Sequence, residues 1–80
     1  MQTIDARAYA PKDKHPNILS MFLNLKIGES MLLVNDHDPK PLYYQFTAEY
    51  PNTFTWTYQE SGPEVYKVVI KKIMEVSNHE

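Results

Sequence analysis

Ser30-Met31-Leu32-Leu33-Val34-Asn35-Asp36-His37-Asp38-Pro39-Lys40-Pro41-Leu42-Tyr43-Tyr44 holds a strand, a charged loop and the start of a helix. The apolar run Met31–Val34 is too short for a helix and is bounded by polar residues, as a buried strand is. The next seven residues, Asn35 to Pro41, are all polar or ring-locked, more than a simple connection requires. If Asp38 caps the following helix, Pro39 is its first residue and Pro41 its third. Lys40 then offers the one free first-turn N–H, which the Asp38 carboxylate would accept. Leu42, Phe46 and Tyr50 supply a buried stripe, and Pro51 stops the helix.

On the N-terminal side, Thr3–Arg7 reads as a first strand, with Ile4 and Ala6 on one face and Asp5 and Arg7 on the other. Tyr9–Lys14 reads as a loop, and His15-Pro16 as the start of a helix with His15 at the capping position. Ile18, Phe22 and Leu25, flanked by Leu19 and Met21, recur at helical spacing, and Gly28 is expected to end that helix. On the C-terminal side, Phe54, Trp56 and Tyr58 alternate with Thr53, Thr55 and Thr57. This period of two should point the aromatics at the helices and the threonines at solvent. Ser61-Gly62-Pro63 makes a turn into a returning strand, Val65–Lys71, and the residues from Ile73 onward are expected to fray.

The order is β-α-β-α-β-β. Right-handed crossovers make the first two strands parallel and put both helices on one face. The expected fold is therefore an α/β two-layer sandwich over a four-stranded mixed sheet, with one domain spanning residues 1–80. With no cysteine, the three Phe, six Tyr and one Trp must fill a thin core, and thiol redox or sulfur-carrier chemistry is excluded. The longest apolar run is the four residues Met31–Val34, against the ~20 a membrane helix needs, and no leader is visible; a cytoplasmic location is expected. A net charge of −2 with mixed signs argues against nucleic acid. Lys67, Lys71 and Lys72 are the one basic cluster; alternation puts Lys67 and Lys71 on one exposed face, and the cluster reads as a solvated edge strand kept soluble by lysines.

Ligands of open α/β sheets bind beyond the carboxyl ends of parallel strands. If the first two strands are neighbours, the loops carrying His15 and Asp36-His37-Asp38 rise from the same edge, with Arg7 and Lys40 as nearby cations. Histidine is a weak helix cap, so its place at position 15 asks for another role. Two imidazoles and a carboxylate, His15, His37 and Asp36, suit a divalent metal such as Zn, Fe, Ni or Mn, although no HxxxH-type spacing is present. His79 reads as incidental, and the Trp56 stripe as core packing.

At these residues the chain resembles an uncharacterised bacterial and archaeal domain family of the SirA/TusA-like superfamily. The resemblance rests on His15-Pro16 with Phe22, Gly28-Glu29, Asn35 to Tyr44, Phe54 with Trp56, and Gly62-Pro63-Glu64-Val65. It implies a strand order of 1-2-4-3 with the fourth strand antiparallel to the others. Sulfur-carrier members of the superfamily place a reactive Cys-Pro at the start of the first helix, where this chain has His15-Pro16. An imidazole cannot carry a persulfide. The expectation is thus an accessory domain that binds a partner protein or a small ligand through His15, Asp36, His37, Asp38, Lys40 and Arg7, without nucleic acid or membrane. A metal-binding or metal-delivering protein using His15 and His37 is the alternative, and a small acid–base enzyme the third reading.

Overall fold

The computed structural model describes residues 1–76. Its elements are β1 (Gln2–Asp5), a 3-10 turn (Ala6–Ala8), α1 (Pro11–Leu23), β2 (Ser30–Asn35), α2 (Lys40–Glu49), β3 (Phe54–Ser61) and β4 (Tyr66–Lys72). The sheet order is β1-β2-β4-β3. β1 runs parallel to β2, with Ile4 opposite Leu33 and Asp5 opposite Val34, and β4 is antiparallel to both β2 and β3. Ile18 and Phe22 of α1 and Leu42 and Phe46 of α2 share one core with Ile4, Met31, Leu33, Val68 and Ile70, so both helices cover the same face. The expected two-layer α/β architecture is the one found.

Aromatic rings form the middle of that core. Phe22 and Phe46 meet edge to face at 5.0 Å between centroids and link the two helices. Phe46 also packs on Phe54 at 5.2 Å and Trp56 at 5.7 Å, linking α2 to β3. Thr55 and Thr57 face solvent as expected, but Thr53 is buried and its hydroxyl donates to the Tyr50 carbonyl at 2.7 Å. Thr53 closes the turn after α2 instead of starting the strand. Tyr58 keeps the alternation but is 38% exposed, so the aromatic stripe is buried through Phe54 and Trp56 only in part.

Several boundaries differ from those expected. β1 stops at Asp5 because its carboxylate accepts from the Arg7 backbone N–H at 3.1 Å and from the Arg7 side chain at 2.8 and 2.7 Å, which curls the chain into the 3-10 turn. α1 begins at Pro11, more than one turn before His15-Pro16 and inside the segment expected to be a loop, because Pro11 takes the first helical position, where its missing N–H costs nothing. His15 is therefore inside the helix and caps nothing, while Pro16 sits within the helix without an N–H to donate. At the far end α1 stops at Leu23, and Gly28 (φ +93°) serves a later turn in which its N–H donates to the Lys72 carbonyl at 2.7 Å. After β4, the Ile73 N–H donates to the Thr53 carbonyl at 2.8 Å and Val76 packs against the core, which ties down the start of the segment expected to fray. The rest of that segment, with His79, lies outside the described residues.

Lys72 departs most from its expected role. β4 is an inner strand, and Lys72 is only 5% exposed, on the core side of the sheet. Its ammonium donates to the carbonyls of Leu23 at 3.0 Å and Leu25 at 2.8 Å and lies 5.4 Å from the centre of the Phe22 ring. A cation at the end of a helix meets carbonyls that have no helical partner and the negative end of the helix dipole. Lys72→Met keeps the aliphatic stem but orphans two carbonyls. It should destabilise the fold by about 2–4 kcal/mol in urea denaturation, while Lys71→Met should stay within about 0.5 kcal/mol.

Burial also ranks the aromatics. Phe46 has no exposed surface and joins both helices to β3, whereas Trp56 is half-buried. Phe46→Ala should cost about 3–5 kcal/mol and Trp56→Ala distinctly less, measured in the same denaturation series.

Candidate functional site

Parallel pairing of β1 and β2 puts their carboxyl ends on the same edge of the sheet. There a cavity of about 50 Å³ opens between the start of α1, the end of β2 and the start of α2. Ala6, Ile18, Leu33 and Leu42 supply apolar walls, and Lys14, His15, Asn35 and His37 are its polar groups. His15 and His37 thus line one cavity, as the adjacency of the two loops implied.

Each imidazole is oriented by a partner on one nitrogen. His37 Nδ1 lies 2.7 Å from an Asp36 carboxylate oxygen, so that nitrogen carries a proton and donates it. His15 Nδ1 lies 3.0 Å from Gln45 Oε1, and the Gln45 amide donates through Nε2 to Glu49 at 3.2 Å. The Glu49 carboxylate fixes which way the Gln45 amide points, and the amide oxygen in turn fixes the His15 proton on Nδ1. In both rings the nitrogen left free is Nε2. The hydrogen bond from His37, with the Lys14 charge nearby, holds the Asp36 carboxyl below the usual carboxylate range.

Asn35 is the unexpected member. It is 6% exposed, and its Oδ1 is shielded from solvent with no hydrogen-bond partner among the described residues. An unpaired buried oxygen of this kind costs about 1–3 kcal/mol. The signal was present in the sequence: alternation places Asn35 on the same face as Met31 and Leu33, a polar side chain at an inward position. Lys14 was read as part of a loop, and Gln45 pairs with His15 across thirty residues, which no local spacing reveals.

The remaining expected residues lie apart from the cavity. Arg7 is clamped to Asp5. Asp38 caps no helix; Pro39 occupies that position without a side-chain bond, and the Asp38 carboxylate instead accepts the Tyr58 hydroxyl at 2.6 Å. Lys40 lines a separate open groove with Tyr43, Tyr44, Trp56 and Tyr58. The charged loop therefore serves two places, with His37 facing the cavity and Asp38 and Lys40 turned toward β3. Among the described residues no three His, Asp or Glu side chains come together to hold a metal ion, so His15, His37 and Asp36 do not form a ligand triad. Asp36 acts on His37 instead.

Matching a family model over residues 3–72, the chain belongs to a family of uncharacterized conserved proteins, DUF2249. No curated protein and no solved structure matches it.

Burial raises the pKa of Tyr58, and the hydrogen bond to Asp38 adds to the shift, while the nearby Trp56 indole opposes it. A raised folded-state value means a stabilising contribution that is complete below the ordinary tyrosine value of ~10 and disappears as pH rises through the folded value. Tyr58→Phe should remove that alkaline loss. Tyr58→Phe and Asp38→Ala should each cost about 0.5–1.5 kcal/mol and be non-additive in a double-mutant cycle, whereas a capping role for Asp38 would make them additive.

Proposed function

We propose that this domain is an accessory module that binds a small polar ligand in the His15–Asn35–His37 cavity. The observation that carries this reading is a single cavity lined by Lys14 and by two histidines whose Nδ1 atoms are already engaged. A preoriented, partly apolar concavity with a few convergent polar groups is the usual form of a small-molecule site. The strand order and helix placement agree with those the SirA/TusA-like resemblance implies, which supports a place in that superfamily without its sulfur chemistry. No described helix is long and apolar enough to cross a membrane, and a cytoplasmic location is part of the proposal.

A divalent metal on His15 and His37 is the second reading. It is favoured by the Nδ1 partners, because metal-ligating histidines commonly donate their other ring N–H to a carboxylate or carbonyl. Such binding would be lost on acidification, since a protonated imidazole has no lone pair to give. The partner-protein and acid–base readings gain no comparable observation.

The ligand-binding reading is tested by NMR on labelled protein with a panel of small polar molecules and divalent metals. Saturable shifts should gather at Ala6, Lys14, His15, Asn35 and His37, and they should vanish in the His15→Ala variant. His37→Ala should leave stability within about 0.5 kcal/mol, because its side chain is 66% exposed. A panel that moves none of these resonances rejects the proposal.

A further inference from the structure

We infer that the aromatic groove between α2 and β3 docks a proline-rich peptide segment carrying an acidic residue, on a surface separate from the histidine cavity. β3 is an edge strand, paired with β4 alone. Between it and α2 lie two hollows in a row. Lys40, Tyr43, Tyr44, Trp56 and Tyr58 line the first, and Tyr43, Trp56, Phe54, Thr47 and Asn52 line the second. Tyr43 and Trp56, with ring centroids 5.3 Å apart, belong to both and divide one from the other. Tyr44 is 63% exposed, and Tyr43 and Tyr58 stand above a third exposed. Exposed rings gathered on one face mark an interaction surface more than a spare part of the core.

Length and shape select the occupant. Phe54 to Tyr58 covers about 13 Å of strand, and Lys40 to Thr47 about 10 Å of helix. A polyproline II segment rises ~3.1 Å per residue, so about four residues, more than one turn, fill that length. A helix, ~10 Å across, would ride over the Tyr43–Trp56 divide without entering either hollow. An added β-strand meets the register shift between Tyr58 and Glu60, which disturbs the edge beside the groove. Prolyl rings pack on aromatic faces, and the polyproline backbone has carbonyls without internal partners, which tyrosine hydroxyls can meet. The Trp56 indole N–H is buried, so this residue offers its ring alone. A stiff ligand also loses little freedom on a shallow surface.

Charge sets the flanking residue. Lys40 is exposed in the lining of the first hollow and makes no ion pair among the described residues. The neighbouring Asp38 carboxylate is occupied by the Tyr58 hydroxyl at 2.6 Å. A carboxylate on the peptide, beside the prolyl ring in that hollow, complements the Lys40 ammonium.

The experiment titrates the full chain with a capped oligoproline flanked by glutamates. Binding is followed by the fluorescence of Trp56, the sole tryptophan, and by NMR shifts of labelled protein. A saturable change should appear, with shifts at Tyr43, Tyr44, Trp56 and Tyr58 and none at His15 or His37. An oligoalanine of equal length with the same glutamates should bind about tenfold more weakly, and a lysine-flanked oligoproline several-fold more weakly. Lys40→Glu should reverse the preference between the two oligoprolines. Tyr44→Ala, at an exposed position that folding does not need, should weaken binding about tenfold. Equal binding of the alanine peptide, a charge preference unmoved by Lys40→Glu, or full affinity in Tyr44→Ala overturns the inference. So does the absence of any change with the oligoproline at millimolar concentration. If the same resonances shift when the protein alone is concentrated, with a dimer in sedimentation, the groove belongs to a second copy and the inference falls. The histidine cavity is read out at other resonances, so either result leaves the ligand-binding reading to its own test.

Discussion

Parallel pairing between β1 and β2 is the constraint on which the rest of this molecule depends. Once Asp5 stands opposite Val34, the chain must leave both strands in the same direction, and α1 and α2 must start beside one another. Everything at the cavity follows from that. The first helix brings Lys14 and His15, the end of the second strand brings Asn35, and the loop behind it brings His37. An antiparallel pair would have sent those loops to opposite ends of the sheet. The pairing needs a crossover helix, and the core holds the C-terminal end of α1 through Phe22 against Phe46 and through Lys72 on the carbonyls of Leu23 and Leu25.

The Lys72 contact also explains how a thin core tolerates a buried charge. An isolated ammonium in an apolar environment would be strongly unfavourable, but here two carbonyls and an aromatic face replace much of its hydration. The same residue uses its backbone to clamp the turn before β2, its N–H donating to the Glu29 carbonyl and its carbonyl accepting from Gly28. One position on an inner strand thereby fixes where α1 ends and where β2 begins. The sequence offered three lysines near the end of the chain, and alternation put Lys67 and Lys71 on one exposed face while Lys72 was grouped with them only by proximity. Lys72 differs because its strand neighbour Ile70, two residues back, points into the core, and so must Lys72.

Fold class was legible because periodicity is a property of whole segments. The apolar run Met31–Val34 emerged inside β2, and the stripes Ile18–Phe22–Leu25 and Leu42–Phe46 were buried as their spacing required. Boundaries were less legible because several residues compete for the same local role. Pro16 looks like a helix start although Pro11, read as part of a loop, takes that position, and Asp38 looks like a cap although Tyr58, twenty residues away, claims its carboxylate. The site was half legible for the same reason. Topology brought His15 and His37 to one cavity and Asp36 stands beside His37 in the sequence, but the partner that orients His15, Gln45, is defined by tertiary packing.

The earlier start of α1 has a consequence for His15 itself. At a helix cap, its imidazole would project off the end of the helix toward solvent. Inside the helix, one turn further along, it sits where α1 passes α2 and can reach Gln45. The chain Glu49 to Gln45 to His15 then orients the ring from across the helix pair, much as Asp36 orients His37 from within its own loop. Both rings are held by Nδ1, by two unrelated routes. A structural histidine needs one satisfied nitrogen and no particular direction for the other. Two rings anchored alike in the lining of one cavity make a site that is organised before anything enters it, and preorganisation lowers the ordering a ligand must impose on binding.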